Sequence, residues 1–289
     1  MSMISWVSGE PYEGQLIYLQ PKNSATGVHG GGEDPWNELD SLIGLYAVKE
    51  KLREICAYAS ISQKRKQLGL KAEDLTLNMV FVGNPGTGKT TVARIVSKIL
   101  QRSGVLERGH LVEVERADLV GEYVGHTARR TREAISKALG GVLFIDEAYS
   151  LARGGEKDFG REALDTLVKA MEDHRQDLVV IAAGYPDEME MFIRLNPGLV
   201  SRMPISIHFP DYSAEELMQI ALLILAKSDY RLSPKAVEKL REKLQGLKGN
   251  GRDVRNILEQ AMRRQAVRLE SLSHVKRDDL MTIKPEDLE

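Results

Sequence analysis

Between residues 77 and 209, short apolar runs alternate with segments of helical period. The runs fall at 79–82, 111–114, 142–145, 178–181 and 205–209. Several lack the in–out alternation of a half-exposed strand, which predicts strands buried on both faces, as in a parallel sheet. Between them Val92, Ile95, Val96 and Ile99 keep the i, i+3, i+4, i+7 spacing of an amphipathic helix, as do Leu164, Leu167, Val168 and Met171. Strands alternating with helices predict an α/β sandwich over residues 38–210. After Pro210 the strand signal stops. Ser213 with Glu216 forms a capping box, and Ser233-Pro234 is a cap followed by a first-turn proline. Inward positions Val237, Leu240 and Leu244 belong to the helix that proline opens, and Val254, Ile257, Leu258, Ala261 and Met262 mark another. A small all-α domain over residues 211–289 follows.

Upstream, Leu42, Val48, Leu52, Ile55 and Cys56 mark one face of a single helix that begins near Leu39. Cys56 therefore belongs to packing rather than chemistry. Residues 1–37 carry scattered Gly, Pro and Ser, show no period, and read as a flexible leader. Trp6 and Trp36 are isolated aromatics in or near it, and anchoring a partner is the less favoured reading of both.

Composition narrows the function classes. The 289 residues hold 40 Lys+Arg against 42 Asp+Glu, a net charge of −2, which argues against a nucleic-acid binder driven by bulk charge. One cysteine makes neither an intrachain disulfide nor a cysteine-based zinc site, which fits a reducing, cytoplasmic setting. No apolar run approaches a membrane span, and the first 20 residues lack the layout of a signal peptide. His110, His126 and His208 read as structural, since no histidine shows metal-ligand spacing. Arg129, Arg130 and Arg132 read as a solvated helix face, with Ala134, Ile135 and Ala138 turned inward.

Chemistry concentrates in two places. Gly83-Asn84-Pro85-Gly86-Thr87-Gly88-Lys89-Thr90, followed by Thr91, comes directly after an apolar run and opens a helical period. This is G-x-x-x-x-G-K-[ST] in the context that motif requires. Its glycines let successive N–H groups turn around phosphate oxygens, and the helix N-terminus adds its dipole. Lys89 reaches the β/γ-phosphates and the Thr90 hydroxyl ligates Mg²⁺. The second place is Asp146-Glu147, at the end of the run 142–145. There Asp146 holds the Mg²⁺ shell with Thr90, and Glu147 acts as general base or water-positioner. The acid pair favours hydrolysis of ATP to ADP over transfer to a small acceptor.

With both motifs and a helical C-terminal domain, the chain resembles an AAA+ ATPase, more narrowly the stage V sporulation protein K and CbbX family. The resemblance runs from about residue 39 to 288. Its distinctive stretches are ERADLVGEYVGHT (115–127), LFIDEAYSLARGGEKDFG (143–160), LNPGLVSR (195–202) and DLMTIK (279–284), which favour the sporulation branch over the rubisco activases. The resemblance implies a three-layer AAA+ sandwich with a helical lid, assembled as a ring, usually a hexamer, with ATP between neighbouring subunits. It makes Arg202 the arginine finger, with Arg194 as runner-up. It places the sensor 2 arginine at Arg252 or Arg255, the other serving as an ion-pair partner. It makes Tyr123-Val124-Gly125 the loop that grips a protein client in the pore; packing of Tyr123 under the following helix is the alternative. The backbone near Ile43-Gly44 contacts adenine. Where many relatives carry a polar sensor 1, this chain has Ala182-Ala183-Gly184-Tyr185, so either Tyr185 substitutes or Glu147 positions water alone.

The leading expectation is an ATP-driven remodeller of a protein client in bacterial sporulation. The alternatives are a rubisco activase and a nucleotide-gated scaffold with little hydrolysis. A nucleic-acid motor would need a basic, strand-tracking pore loop that the chain does not offer.

Overall fold

The computed structural model describes residues 34–289 except 74, 124 and 154–157. The chain enters through α1 (Pro35–Ser41), whose N-cap Asp34 accepts from the Trp36 N–H at 3.1 Å and whose first helical residue is a proline. A turn at 42–45 separates it from α2 (Tyr46–Gln67). The single helix expected here is therefore two. Val48, Leu52, Ile55 and Cys56 do share the buried face of α2, but Leu42 lies in the turn, where Gly44 and Leu45 adopt positive φ (59° and 55°). Burial pushes the Cys56 thiol up to about 12, which suits a packing role. Trp36 packs half-buried against the core, so it is not available to anchor a partner. Trp6 lies outside the described residues.

Five strands form one sheet: β1 (Met79–Gly83), β2 (Leu111–Val114), β3 (Val142–Ile145), β4 (Val179–Gly184) and β5 (Ile205–Phe209). Their order is β2-β3-β4-β1-β5, and every pairing is parallel, with Val82 opposite both Gly184 and His208. The apolar runs that lack alternation sit where that pattern demands, since β3 and β4 are buried at every residue and lie inside the sheet. Edge strands β2 and β5 are only partly buried.

Helices cover both faces. One layer packs α1, α2 and α3 (Lys89–Arg102) on Phe81, Phe144, Ile181 and Phe209. The other holds α4 (Arg116–Leu119), α5 (His126–Ala138), a 3₁₀ turn (Ala148–Ala152), α6 (Gly160–Asp173), α7 (Pro186–Leu195) and α8 (Pro197–Arg202), packed on Val80, Leu143, Ile145 and Val180. Parity decides the face, because alternate residues of one strand supply the two cores. On α5, Ala134, Ile135 and Ala138 are buried as expected. Arg129 pairs with Glu133 in solvent, whereas Arg130 donates to the Val120 carbonyl at 3.0 Å and so caps α4.

The C-terminal part is a helical lid with its own core of Leu217, Ala221, Leu240, Val254, Leu258 and Ile283. It contains α9 (Ala214–Lys227), α10 (Pro234–Leu244), α11 (Asn250–Glu270), α12 (Arg277–Met281) and a closing 3₁₀ turn (Pro285–Leu288). Both predicted caps are formed, by Ser213 with Glu216 and by Ser233 on the Ala236 N–H. A two-residue parallel ladder, β6 (Arg231–Leu232) with β7 (Thr282–Ile283), adds strand that the sequence pattern does not register. Buried Gln265 fixes it by donating to the carbonyls of Asp279, Leu280 and Thr282 at 3.0–3.1 Å. Among the described residues no helix is long and apolar enough to cross a membrane.

Candidate nucleotide site

All chemistry-bearing strands end at the same edge of the sheet, because the sheet is parallel. β1 runs into the glycine-rich loop, β3 into Asp146-Glu147, and β4 into Gly184-Tyr185. In open α/β sheets ligands bind at this carboxyl edge. A cavity of about 600 Å³ opens there, lined on the sheet side by Gly83, Lys89, Thr90, Thr91, Asp146, Glu147 and Tyr185. The turn at 42–45 supplies Leu42, Ile43 and Leu45, and the lid supplies Ile220, Leu223 and Ile224 from α9. One end of the cavity is therefore apolar and the other polar.

The glycine-rich loop is held from within. Thr87 is fully buried and its hydroxyl donates to the Asn84 carbonyl at 2.8 Å. Lys89 Nζ donates to the carbonyls of Gly83 and Asn84, each at 2.8 Å. Burial lowers the pKa of this ammonium below the ordinary lysine value, with Arg252 adding to the shift and Asp146 and Glu147 opposing it. Gly86 (φ 74°) has no room for a side chain, since a Cβ would fall 2.5 Å from the Gly249 carbonyl and 2.7 Å from the Arg252 nitrogen. The Gly251 N–H donates to the Gly86 carbonyl at 3.1 Å, so the loop docks directly on the start of α11.

Asp146 and Glu147 are both exposed to the cavity side. The Glu147 N–H donates to Asp146 Oδ1 at 3.0 Å, and the Asp146 N–H donates to the Val114 carbonyl at 2.9 Å. Glu147 itself sits in the left-handed region, with φ 46° and ψ 44°. Tyr185 lines the cavity with its ring 6.0 Å from that of Tyr149. A polar side chain at position 184 would not fit, because a Cβ there would lie 2.7 Å from both Tyr149 Cδ1 and Met189 Sδ. Close packing leaves position 184 to glycine, and Tyr185 is the polar side chain at this strand end that lines the cavity.

Arg252 and Arg255 both line the cavity, and neither has an ion-pair partner among the described residues. The expectation that one of them is paired off is corrected: α11 presents both from a single face, three residues apart. Arg252 is the one whose charge bears on Lys89.

A linker that carries no sequence motif binds the two parts together. Asp211 accepts from Asn84 Nδ2 at 2.9 Å and from Asn250 Nδ2 at 2.8 Å. Asn250 Oδ1 accepts from the Tyr212 N–H at 2.8 Å, and the Tyr212 hydroxyl donates to the Thr87 carbonyl at 3.2 Å. Burial raises the Tyr212 phenol to about 12, which keeps it a donor.

Other predicted residues lie elsewhere. Gly44 is in the 42–45 turn. Arg202 ends α8 outside the cavity lining, with Nη1 donating to the Gly198 carbonyl at 3.2 Å and Nη2 3.5 Å from Glu172. Its Nε is buried without a partner among the described residues, and its carbonyl accepts from buried Asn78, which also takes the Val180 N–H. Arg194, by contrast, is an exposed residue in the last turn of α7. Tyr123 is 66% exposed on the loop before α5, edge-on to His126 at 5.5 Å, so it does not pack beneath that helix. Gly125 (φ 82°) is the N-cap of α5, and Val124 lies outside the described residues.

Comparison with known proteins agrees with this architecture. Residues 79–211 match the ATPase family associated with various cellular activities, and residues 213–289 match the AAA lid domain. Stage V sporulation protein K of Bacillus subtilis is 52% identical over 275 residues, covering 92% of this chain and 85% of the relative. Protein CbbX of Cereibacter sphaeroides is 48% identical, covering 89% and 86%. The chloroplastic ribulose bisphosphate carboxylase/oxygenase activase of Cyanidioschyzon merolae is 43% identical, covering 95% of each chain. The crystal structure of the FIGL-1 AAA domain in complex with ADP shares the fold, with a TM-score of 0.61 at 22% identity over 86% of this chain and 80% of that one. The chain is a nucleotide-binding ATPase of the AAA family, in the group that holds stage V sporulation protein K and CbbX.

Proposed function

We propose that the chain assembles into a homo-oligomeric ring, a hexamer, with ATP held between neighbours, and that hydrolysis remodels a protein client. Within one subunit the glycine-rich loop holds the phosphates, Lys89 neutralises them, and the 42–45 turn holds adenine. Arg252 and Arg255 approach from the lid. Glu147 takes the proton from the attacking water as its oxygen adds to the γ-phosphorus and the bond to the leaving ADP oxygen breaks. Thr90 and one Asp146 oxygen suit Mg²⁺, since both are hard oxygen donors on one cavity wall, and the Thr90 hydroxyl makes no hydrogen bond among the described residues. That ion, when bound, supplies positive charge to the phosphate oxygens.

The observation that carries the ring is the place of Arg202. It lies outside its own cavity; Asn78 holds its backbone carbonyl, and its guanidinium donates to the Gly198 carbonyl within α8. A guanidinium there serves a neighbour's γ-phosphate rather than its own. Exposed Tyr123 supports the client reading, because an aromatic ring grips an extended chain without reading its sequence. Mixing Arg202→Ala with Lys89→Ala subunits tests both the finger and the ring. Each variant alone is inactive, and the mixture recovers part of the activity. A mixture as dead as its parts would show that Arg202 does not act across an interface.

Similarity to the Bacillus subtilis protein makes a client in sporulation the first candidate, in the cytoplasm. The activase of Cyanidioschyzon merolae gives rubisco as a second. Reactivation of inhibited rubisco by this chain would decide for the second.

A further inference from the structure

The turn at 42–45 is held in place by one buried lysine. Gly44 and Leu45 are consecutive residues at positive φ, a conformation that costs a leucine on the order of 1 kcal/mol. Lys49, in the first turn of α2, is only 7% exposed and pairs with no carboxylate among the described residues. Asp40, the acid nearest to it in charge, is engaged by Arg53. The Lys49 ammonium instead donates to the Leu42 carbonyl at 2.5 Å and to the Asp40 carbonyl at 3.2 Å. A buried charge spent on two main-chain oxygens fixes those peptides firmly.

The consequence lies one atom further on. In a trans peptide the carbonyl and the next N–H share a plane and point in opposite directions. With the Leu42 carbonyl held toward Lys49, the Ile43 N–H is turned the other way. Ile43 lines the cavity, and its N–H makes no hydrogen bond among the described residues. It is an unpaired donor, directed away from Lys49, on a residue that lines the site.

We propose that Lys49 is a positioning residue for base selection: by pinning the Leu42 carbonyl it presents the Ile43 N–H as a fixed donor to N1 of adenine. Adenine N1 is a lone-pair acceptor, whereas guanine N1 carries a hydrogen and would set two donors against each other. The inference rests on the reading of the cavity as the ATP site with the base at the 42–45 turn.

Competition binding of ATP, GTP and 1-deaza-ATP, which lacks the N1 acceptor, tests it on full-length wild type, Lys49→Met and Lys49→Gln. Wild type should prefer ATP over both analogues by about 10–100-fold, the cost of leaving a buried donor unmet. Lys49→Met should reduce both ratios to within about threefold, chiefly by weakening ATP. Lys49→Gln, too short to span both carbonyls, should lower them as well, and it decides the matter if the methionine variant does not fold. Undiminished ratios in a folded variant would overturn the role of Lys49 and leave the base site standing. A wild type without preference would overturn both the inference and the placement of adenine.

Discussion

At Glu147 the backbone itself carries a cost, since a non-glycine residue at φ 46° is held about 1 kcal/mol or more above its relaxed state. Strain of this kind persists where surrounding structure enforces it, here by the adjoining Asp146 carboxylate and the 3₁₀ turn that follows. Glu147→Gln should keep ATP bound and lower hydrolysis by about 10²–10⁴-fold, the usual worth of a general base. Single-turnover measurement of phosphate release checks this, and wild-type turnover would remove Glu147 from the role. Lys89 gives a pH signature. Only its charged form neutralises phosphate, and its pKa is lowered, chiefly by burial. ATP affinity should therefore hold on the acid side and fall as pH rises through a value below the ordinary 10.5. Titration of nucleotide affinity against pH reads this directly, and in Lys89→Ala binding should be lost altogether. Gly184→Ala should cost roughly 1–3 kcal/mol, because its methyl would drive into Tyr149 and Met189. Chemical denaturation measures that loss.

At the scale of elements, α4, which precedes the Tyr123 loop, is tied to the segment following Glu147. Arg116, which opens α4, donates through Nη2 to both Asp158 oxygens at 2.6 and 2.8 Å and through Nη1 to the Ser150 carbonyl at 2.6 Å. The pair is partly solvated, so Arg116→Ala should cost about 1–2 kcal/mol, a fall in Tm of a few degrees. The Arg116 hydrogen bond and the Gly160 N–H hold the Asp158 carboxyl below its ordinary value of 3.8. A lowered acid stabilises the fold above its unfolded pKa, and that contribution is lost as pH falls through the folded value. The stability gap between wild type and Arg116→Ala should accordingly close in acid; a gap that stays constant would contradict the ion pair.

The same scale explains what the sequence could and could not reveal. Strands β3 and β4 were legible because burial on both faces leaves an unbroken apolar run. The break at 42–45 left only a weak mark, since Leu42 stands six residues before Val48, off its helical face, and the chain turns where Gly44 and Leu45 take positive φ. Ladder β6–β7 is two residues long, too short for any period. In the site, the glycine-rich loop was legible because its residues are contiguous. The Asp211–Asn84 contact joins residues 127 apart and Tyr212–Asn250 joins residues 38 apart, so no spacing announces them. Nothing in the sequence sets Lys49 apart from the other charged residues of α2; its burial does.

For the whole molecule, Arg202 lies apart from its own cavity, and the ring proposed above would make catalysis a property of the assembly. Asn78 links the Arg202 carbonyl to β4, whose end carries Tyr185, so Arg202 and the cavity are both tied to the central sheet. On the other side, Asp211, Tyr212 and Asn250 join the glycine-rich loop to the starts of two lid helices. The most direct test is steady-state ATPase rate against protein concentration, with light scattering on the same samples, for wild type and Glu147→Gln. Specific activity should rise with concentration as rings form and should collapse in the variant while assembly persists. A specific activity independent of concentration across the range where scattering reports monomers would contradict a site completed by a neighbour.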